Sequence, residues 1–331
     1  MNTLFTMAQM LNRALDEILK NDSTSILIGE DIGVNGGVFR ITDGLHQKYP
    51  SRVLDTPLAE NMIAGISIGM AMKGLRPIAE FQFLAFIYPA LEQIISHASK
   101  MRYRTQGRLY CPLIFRTPYG GGVGAPEHHS ESTEGIFAQV PGLRVLVPST
   151  PTRAYALMKS AHLNNDPVIF LEPTRMYHST KQSIPSSLSE NIKIDQAIIE
   201  HTGHHLTLIS WGAMMLEGRK IVAEYAKHNV SIELIDLVSL RPLDYQTILN
   251  SVKKTKRCVI LSEAPKTIGV ASEIITFLQE NLFDSLLSPI MRVNADDHVI
   301  PYSKLEDVYR PNMLKISKVI NKVLQWKKQY A

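Results

Sequence analysis

Cysteine is nearly absent from this chain. Only Cys111 and Cys258 occur in 331 residues, so neither a CxxC metal or redox motif nor a disulfide framework can be drawn, and a reducing cytoplasm is the expected setting. An excess of one charge is also missing. The 35 Lys and Arg against 31 Asp and Glu give +4, spread along the chain, which excludes the basic footprint of a nucleic-acid binder. No apolar run approaches the ~20 residues needed to cross a bilayer; the longest, Met62 to Met72, falls far short. The opening segment MNTLFTMAQMLNRALDEILK carries acids inside an amphipathic pattern and has no apolar h-region, so no secretion signal is expected. GxxxxGK[ST] is missing, excluding a P-loop nucleotidase. What remains is ordinary globular material, 45% hydrophobic and 20% charged. That excludes disorder, and at roughly 100–200 residues per domain the length allows two or three domains.

Hydrophobic spacing supplies the architecture. Met7, Met10, Leu11, Ala14, Leu15, Ile18 and Leu19 recur at helical period, and the chain then enters SILIGE, a short apolar run read as a buried strand. RPIAEFQ, PLIFRTP, LRVLVPS and PVIFLEP follow as strands, with helices expected over Tyr88 to Arg104 and Thr152 to Leu163. After a polar stretch a second alternation begins: LTLISWG, SIELIDL, RCVILSEA and PIMRVN as strands, with helices over Glu217 to His228, Tyr245 to Val252 and Ala271 to Asn281. Alternation of this kind implies parallel sheets covered on both faces, hence an α/β fold of two doubly wound domains. We set the first domain at 1–185, a linker containing one short strand at 186–204, and the second domain at 205–331. The final segment KISKVINKVLQWKKQ reads as an amphipathic helix with solvated lysines rather than a membrane or nucleic-acid surface.

Four features could carry chemistry. Gly120 to Ala125 matches G-x-G-x-x-A by its letters, but Pro126 and EHHSES follow where a helix should open; the glycines read as a loop whose backbone can approach a ligand closely. Glu60 opens NMIAGISIGMAMKG, a helix apolar almost all round and expected to be buried on every side. A carboxyl there loses hydration, which disfavours its charged form; the alternative is a plain first-turn acid stabilised by the helix dipole. Adjacent His128 and His129 do not share the i, i+4 face of a zinc motif, and are either a proton-shuttling site or a solvated pair. Phe81, Phe83, Phe86 and Tyr88 cluster after a strand, where a plain core is the simpler account.

The motifs GEDIGVNGGVFRITDGL, DTPLAENMIAG, GLRPIAEFQF, RYRTQGRLYCPLIFRTPYGGGVGAPEHHSES, VPGLRVLVPSTP and DPVIFLEPTRMY, with Leu206 to Met214 and Ile235 to Asp244, span essentially the whole chain. They resemble the beta subunits of the thiamine-dependent decarboxylating component of 2-oxo acid dehydrogenase complexes, most closely the pyruvate-specific bacterial members. The resemblance implies a transketolase-like fold, a pyrimidine-binding domain followed by a transketolase C-terminal domain. It implies that Glu60 is the cofactor-activating glutamate, that Leu58, Gln82 and Phe86 line the aminopyrimidine of thiamine diphosphate, and that His129 assists decarboxylation or transfer to a lipoyl group. Glu131 stands where many relatives have Gln or Asp.

Thiamine diphosphate is ordinarily held by a GDG followed ~30 residues later by NN, which suit magnesium and the diphosphate, and no GDG occurs here. The resemblance therefore implies that an alpha subunit supplies that half of the site and the Mg2+, in a heterotetramer of two alpha and two beta subunits. The helix at Met62 to Met72, with Gly65 and Gly69, is the candidate for close subunit packing or for an intrachain core. The resemblance further implies a K+ bound through carbonyls of Leu113, Ala161, Asn164 and Asp166, and docking to a dihydrolipoyl acyltransferase core. Branched-chain 2-oxo acids or acetoin are alternative substrates, and a non-catalytic scaffold is the alternative of another class.

Overall fold

The structure, a computed structural model, describes residues 3–125, 127–183 and 192–327. The expected ends of the first domain and start of the linker, residues 185 and 186, lie outside the described residues, as does Pro126. Among the described residues no helix is long and apolar enough to cross a membrane.

The strands, in chain order, are β1 Leu4–Thr6, β2 Ser25–Gly29, β3 Val53–Asp55, β4 Arg76–Glu80, β5 Ile114–Tyr119, β6 Arg144–Leu146, β7 Val168–Pro173, β8 Lys181–Ser183, β9 Ile198–His201, β10 Leu206–Ser210, β11 Ile232–Asp236, β12 Ser239–Arg241, β13 Cys258–Pro265 and β14 Met291–Ala295. The first sheet has the order β12-β6-β7-β5-β4-β2-β3, the second β14-β13-β10-β11-β9, and β1 pairs only with β8. Every pairing inside the first sheet is parallel except that of β12. β5 and β7 are buried along their whole length because helices cover both faces, and the charged residues they carry, Arg116 and Glu172, pair with each other inside.

The helix Met7–Asn21 begins at a capping box in which the Thr6 and Gln9 side chains each take the other's backbone N–H, and it lies along the helix Pro151–His162. Both cover one face of the first sheet. The other face is covered by the helix Glu60–Met72 and the helical turns that follow β4. The final helix, Met313–Leu324, buries Ile316, Ile320 and Val323 on the second sheet and leaves Lys318 and Lys322 outward, while Lys315 is half-buried against Asp296.

Two expectations need correction. The helix Glu60–Met72 is not buried on every side: Ile63, Ala64, Ser67, Ile68 and Ala71 face the core, while Ile66 and Met72 are 41% and 45% exposed and a Cβ at Gly69 would meet nothing. One sheet face offers cover to one face of a helix only, so an all-round apolar helix in a single chain keeps an unpartnered side. The helix expected over Tyr88 to Arg104 is instead a run of 3-10 and π turns, Leu84–Ala90, Gln93–His97 and Ala98–Lys100, ending in a single α turn, Met101–Arg104. Pro89 has no N–H for a regular helical ladder, and the chain adjusts around it.

The expected linker strand is present as β9, which pairs antiparallel with β11 at the edge of the second sheet. β12 was unexpected. It leaves the second sheet's connection and closes the edge of the first sheet against β6, so residues after 205 contribute to both sheets.

Candidate active site

Parallel α/β sheets bind ligands outside the carboxyl ends of their strands, and the expected residues Glu60, Gln82, Phe86 and His129 lie there with one that was not expected, Glu30. Glu30 directly follows β2, Glu60 opens the helix reached from β3, Gln82 and Phe86 follow β4, and the glycine loop with His129 follows β5. The register sets these ends side by side, Gly29 opposite both Asp55 and Glu80, and the helix Glu60–Met72 packs along the turn Leu84–Ala90.

His129 is held by aromatic rings. Its imidazole meets Phe83 edge-on at a centroid distance of 4.5 Å and Phe86 at 5.2 Å, and its Nδ1 is buried without a hydrogen-bond partner. A buried ring nitrogen with no partner costs desolvation free energy unless a ligand meets it. The stretch Glu127–His129 is a single 3-10 turn, so the glycine loop does not open a helix. Beyond it the Tyr88 hydroxyl donates to Glu131 and accepts from Thr133 at 2.9 Å, tying the loop to the β4 turn.

The carboxylates are graded by burial. Glu60 is half-buried. Glu30, which the motif reading passed over, is 3% exposed, and neither of its oxygens has a partner. Burial, reinforced by the neighbouring Glu60 charge, pushes its carboxyl up to about 7. Glu80, behind it, is fully buried with Glu172 on the Arg116 guanidinium, which donates two 2.7 Å hydrogen bonds to Glu172. The only sequence signal for Glu30 is an acid that follows an apolar strand, which Asp55, exposed at the end of β3, shows is not specific. Leu58 is 78% exposed, and the Gln82 amide reaches Asp31 at 3.4 Å. Both stand open to the space in front of the strands.

Residues 4–180 match the transketolase pyrimidine binding domain, and residues 195–316 match the transketolase C-terminal domain. The pyruvate dehydrogenase E1 component subunit beta of Bacillus subtilis (strain 168) is 41% identical over 322 residues, 97% of this chain and 99% of the relative. The protein of the same name from Acholeplasma laidlawii is 41% identical over 321 residues, 97% and 98% of the two chains. The chain belongs to this beta-subunit family. The fold agrees: a solved structure described as a split gene transketolase, an inactive beta4 tetramer, superimposes with a TM-score of 0.80 over 98% of this chain and 100% of its own, at 18% identity.

Within this transketolase-like, two-domain α/β fold, a cleft of about 1070 Å3 lies away from Glu60, between the domains, lined by Thr133, Arg144, Arg241, Pro242 and Val270 among others. The strand-end site itself is open, with Leu58 in solvent and Glu60 only half covered. The residues expected around K+ gather where the helix Pro151–His162 turns toward β7. The Asn164 carbonyl there already accepts from Arg76 at 3.0 Å, and the Asp166 carboxylate pairs with Arg102 at 2.9 Å.

Proposed function

We propose that this chain is the beta subunit of a pyruvate dehydrogenase first component: with an alpha subunit it decarboxylates pyruvate on thiamine diphosphate and passes the two-carbon unit to lipoyl groups of an acyltransferase core. The observation that carries the reading is the convergence of Glu60, Phe86 and His129 at the strand ends, in a chain whose near full-length relatives are named for that enzyme. The pyrimidine-facing domain is 1–185 and the second domain 205–331, and the chain works in the cytoplasm.

The residues present fit an aminopyrimidine. Phe86 offers a ring, exposed Leu58 an apolar surface, and the unpartnered Glu30 oxygens and His129 Nδ1 stand ready for polar contacts. When bound, thiamine diphosphate would supply an acidic thiazolium C–H, nucleophilic towards a keto group once its proton is removed, and a cationic ring able to accept the electron pair left by departing carbon dioxide. Glu60 holds a proton between its carboxyl and a ring nitrogen of the aminopyrimidine. A carboxyl in water, with a pKa of ~4.3, does this poorly at neutral pH. Half-burial in the lone chain is therefore completed by the alpha subunit, which also brings the diphosphate and Mg2+ ligands, in a heterotetramer of two alpha and two beta subunits. Leu58 and Phe86 fix the ring plane, and Gln82 offers its amide at the edge. His129, with its rotation limited by Phe83 and Phe86, moves a proton at the reacting carbonyl or the incoming lipoyl sulfur. Potassium is assigned to the carbonyls of Leu113, Ala161, Asn164 and Asp166, sharing Asn164 with Arg76.

Reconstitution with the alpha subunit tests the reading. Thiamine-dependent decarboxylation should favour pyruvate over 3-methyl-2-oxobutanoate; the reverse preference assigns a branched-chain substrate, since one or two methylenes are worth only ~1–3 kcal/mol. Glu60→Gln should cut turnover ~10²–10⁴-fold, the range for a lost proton-transfer group, with the complex still assembled. Full activity in that variant would leave only a scaffold role.

A further inference from the structure

The loop that carries His129 runs from β5 to the turn after Thr133, and its two feet are tied to the second domain as well as to its own. At the first foot the Gly121 N–H donates to Glu263 Oε1, at the end of β13, at 2.8 Å. Glu263 is 7% exposed, with Arg175 and Arg310 supplying opposite charge. Space is as restrictive as polarity: a Cβ on Gly121 would stand 2.2 Å from Glu306 Oε1, and one on Gly122 1.9 Å from Arg175 Cγ. Arg175 itself crosses to the second domain, donating to Glu217 at 2.7 Å. Beneath the foot, the Thr174 hydroxyl lies 2.9, 2.7 and 3.0 Å from the carbonyls of Tyr119, Gly120 and Gly121. At the second foot, Trp211 Nε1 donates to Glu134 Oε1 at 2.9 Å, and Trp211 and Glu134 are both buried. The feet are joined by Gly120 N–H donating to the Glu131 carbonyl at 2.9 Å.

Resting on the reading given under Proposed function, we propose that Glu263 and Trp211 are positioning residues for His129: the second domain grips both feet of the loop and so sets where the imidazole stands against Phe83 and Phe86. Burial raises the Glu263 carboxyl above the usual carboxylate range against the pull of Arg175 and Arg310, and its Oε1 accepts the Gly121 N–H in either protonation state; a misplacement of ~1 Å in a reacting group can cost ~10²-fold in rate. Neither residue touches the reacting atoms.

The test uses the heteromer reconstituted with the alpha subunit, and the full-length chain alone. Glu263→Ala should lower kcat ten- to a hundredfold while KM for the 2-oxo acid stays within twofold, and Glu263→Gln, which keeps a carbonyl for Gly121 N–H, should recover to within threefold of wild type. Trp211→Phe, which keeps an aromatic ring but removes the indole N–H, should act in the same direction. On top of His129→Gln, Glu263→Ala should cost less than threefold more. Independently of any activity, amide hydrogen exchange over residues 121–134 of the chain alone should quicken at least tenfold in Glu263→Ala, with the β4 and β7 amides unchanged. Unchanged loop exchange, exchange that rises throughout the chain, or kinetic losses that multiply with His129→Gln would each overturn the proposal. If the wild-type heteromer lacks thiamine-dependent activity, the function reading fails, and the exchange measurement still decides the role of Glu263.

Discussion

Two carboxyls, Glu30 and Glu134, are pushed up to about 7, above the usual carboxylate range, and each owes this to the strand or turn that carries it inward. Glu30 follows β2 and meets the Glu60 charge; Glu134, 1% exposed, is pushed up to about 7 by burial, with the Trp211 hydrogen bond acting in the opposite direction. The sign for stability follows from linkage. In the unfolded chain each acid ionises near 4.5, whereas the native carboxyl keeps its proton, so this contribution is intact below about 4.5 and is lost as pH rises toward 7. For fully enclosed Glu134 the loss is on the order of 3 kcal/mol, at about 1.4 kcal/mol per pKa unit. Urea denaturation of the chain from pH 4.5 to 8 should therefore show a falling contribution that Glu134→Gln removes; an equally steep slope in that variant would contradict it. At this scale Glu60, Phe86 and His129 were legible as candidates because they stand in long motifs, and the structure packs Phe86 against His129. Glu30 and Glu263 were not, because a single acid ending an apolar strand looks the same in sequence whether or not a ligand or another domain waits beyond it.

Period separates elements well when one face is buried and poorly when the helix is distorted. The regular helix Met7–Asn21 and the strands β2, β4, β5, β7, β10, β11, β13 and β14 lie where apolar spacing sets them. The run after β4 does not, because Pro89 and a π turn at Gln93–His97 shift the apolar phase within two turns. β12 escaped because three residues carry no usable period, and its pairing with β6 is a tertiary event. The helix Glu60–Met72 is instructive for the opposite reason: its all-round apolarity was legible, but its meaning depends on a surface outside the chain. Since a Cβ at Gly69 meets nothing within 4 Å, Gly69→Leu should leave the lone chain folded and raise its stability by up to ~1 kcal/mol, the helical cost of glycine. If that face seats another subunit, the same change should weaken assembly with the alpha subunit at least tenfold, read by titration in analytical ultracentrifugation. Unaltered assembly would make the exposed face an ordinary surface.

Buried charge crosses between the two sheets, beside the apolar core they share. Asp236, at the end of β11 and wholly enclosed, accepts from Ser149 and, at 2.8 Å, from Arg153 of the first domain; Arg153 also donates to Glu200 on β9, and Arg219 donates to Glu200 at 2.6 Å and to the Ser149 carbonyl at 3.2 Å. Desolvating such a group costs several kcal/mol per ion, and the partners offset it only while all are present. Removing one partner is therefore expected to hurt more than removing both. Arg153→Met leaves the Asp236 carboxylate enclosed with the serine hydroxyl and the more distant Arg219, and should cost ~3–5 kcal/mol in urea denaturation. Asp236→Asn on that background removes the stranded charge and should restore at least ~1 kcal/mol of it, a coupling within the range of double-mutant cycles. The interface also decides how the chain unfolds. Wild type should lose both sheets in one transition, since β12 and this network bind residues beyond 205 to the first sheet, and Arg153→Met should separate the two by fluorescence of Trp211, which sits on the domain boundary against Glu134. Additive losses in the double variant, together with a single undivided transition in Arg153→Met, would show that the domains are joined by apolar packing and that this ion network contributes nothing to their union.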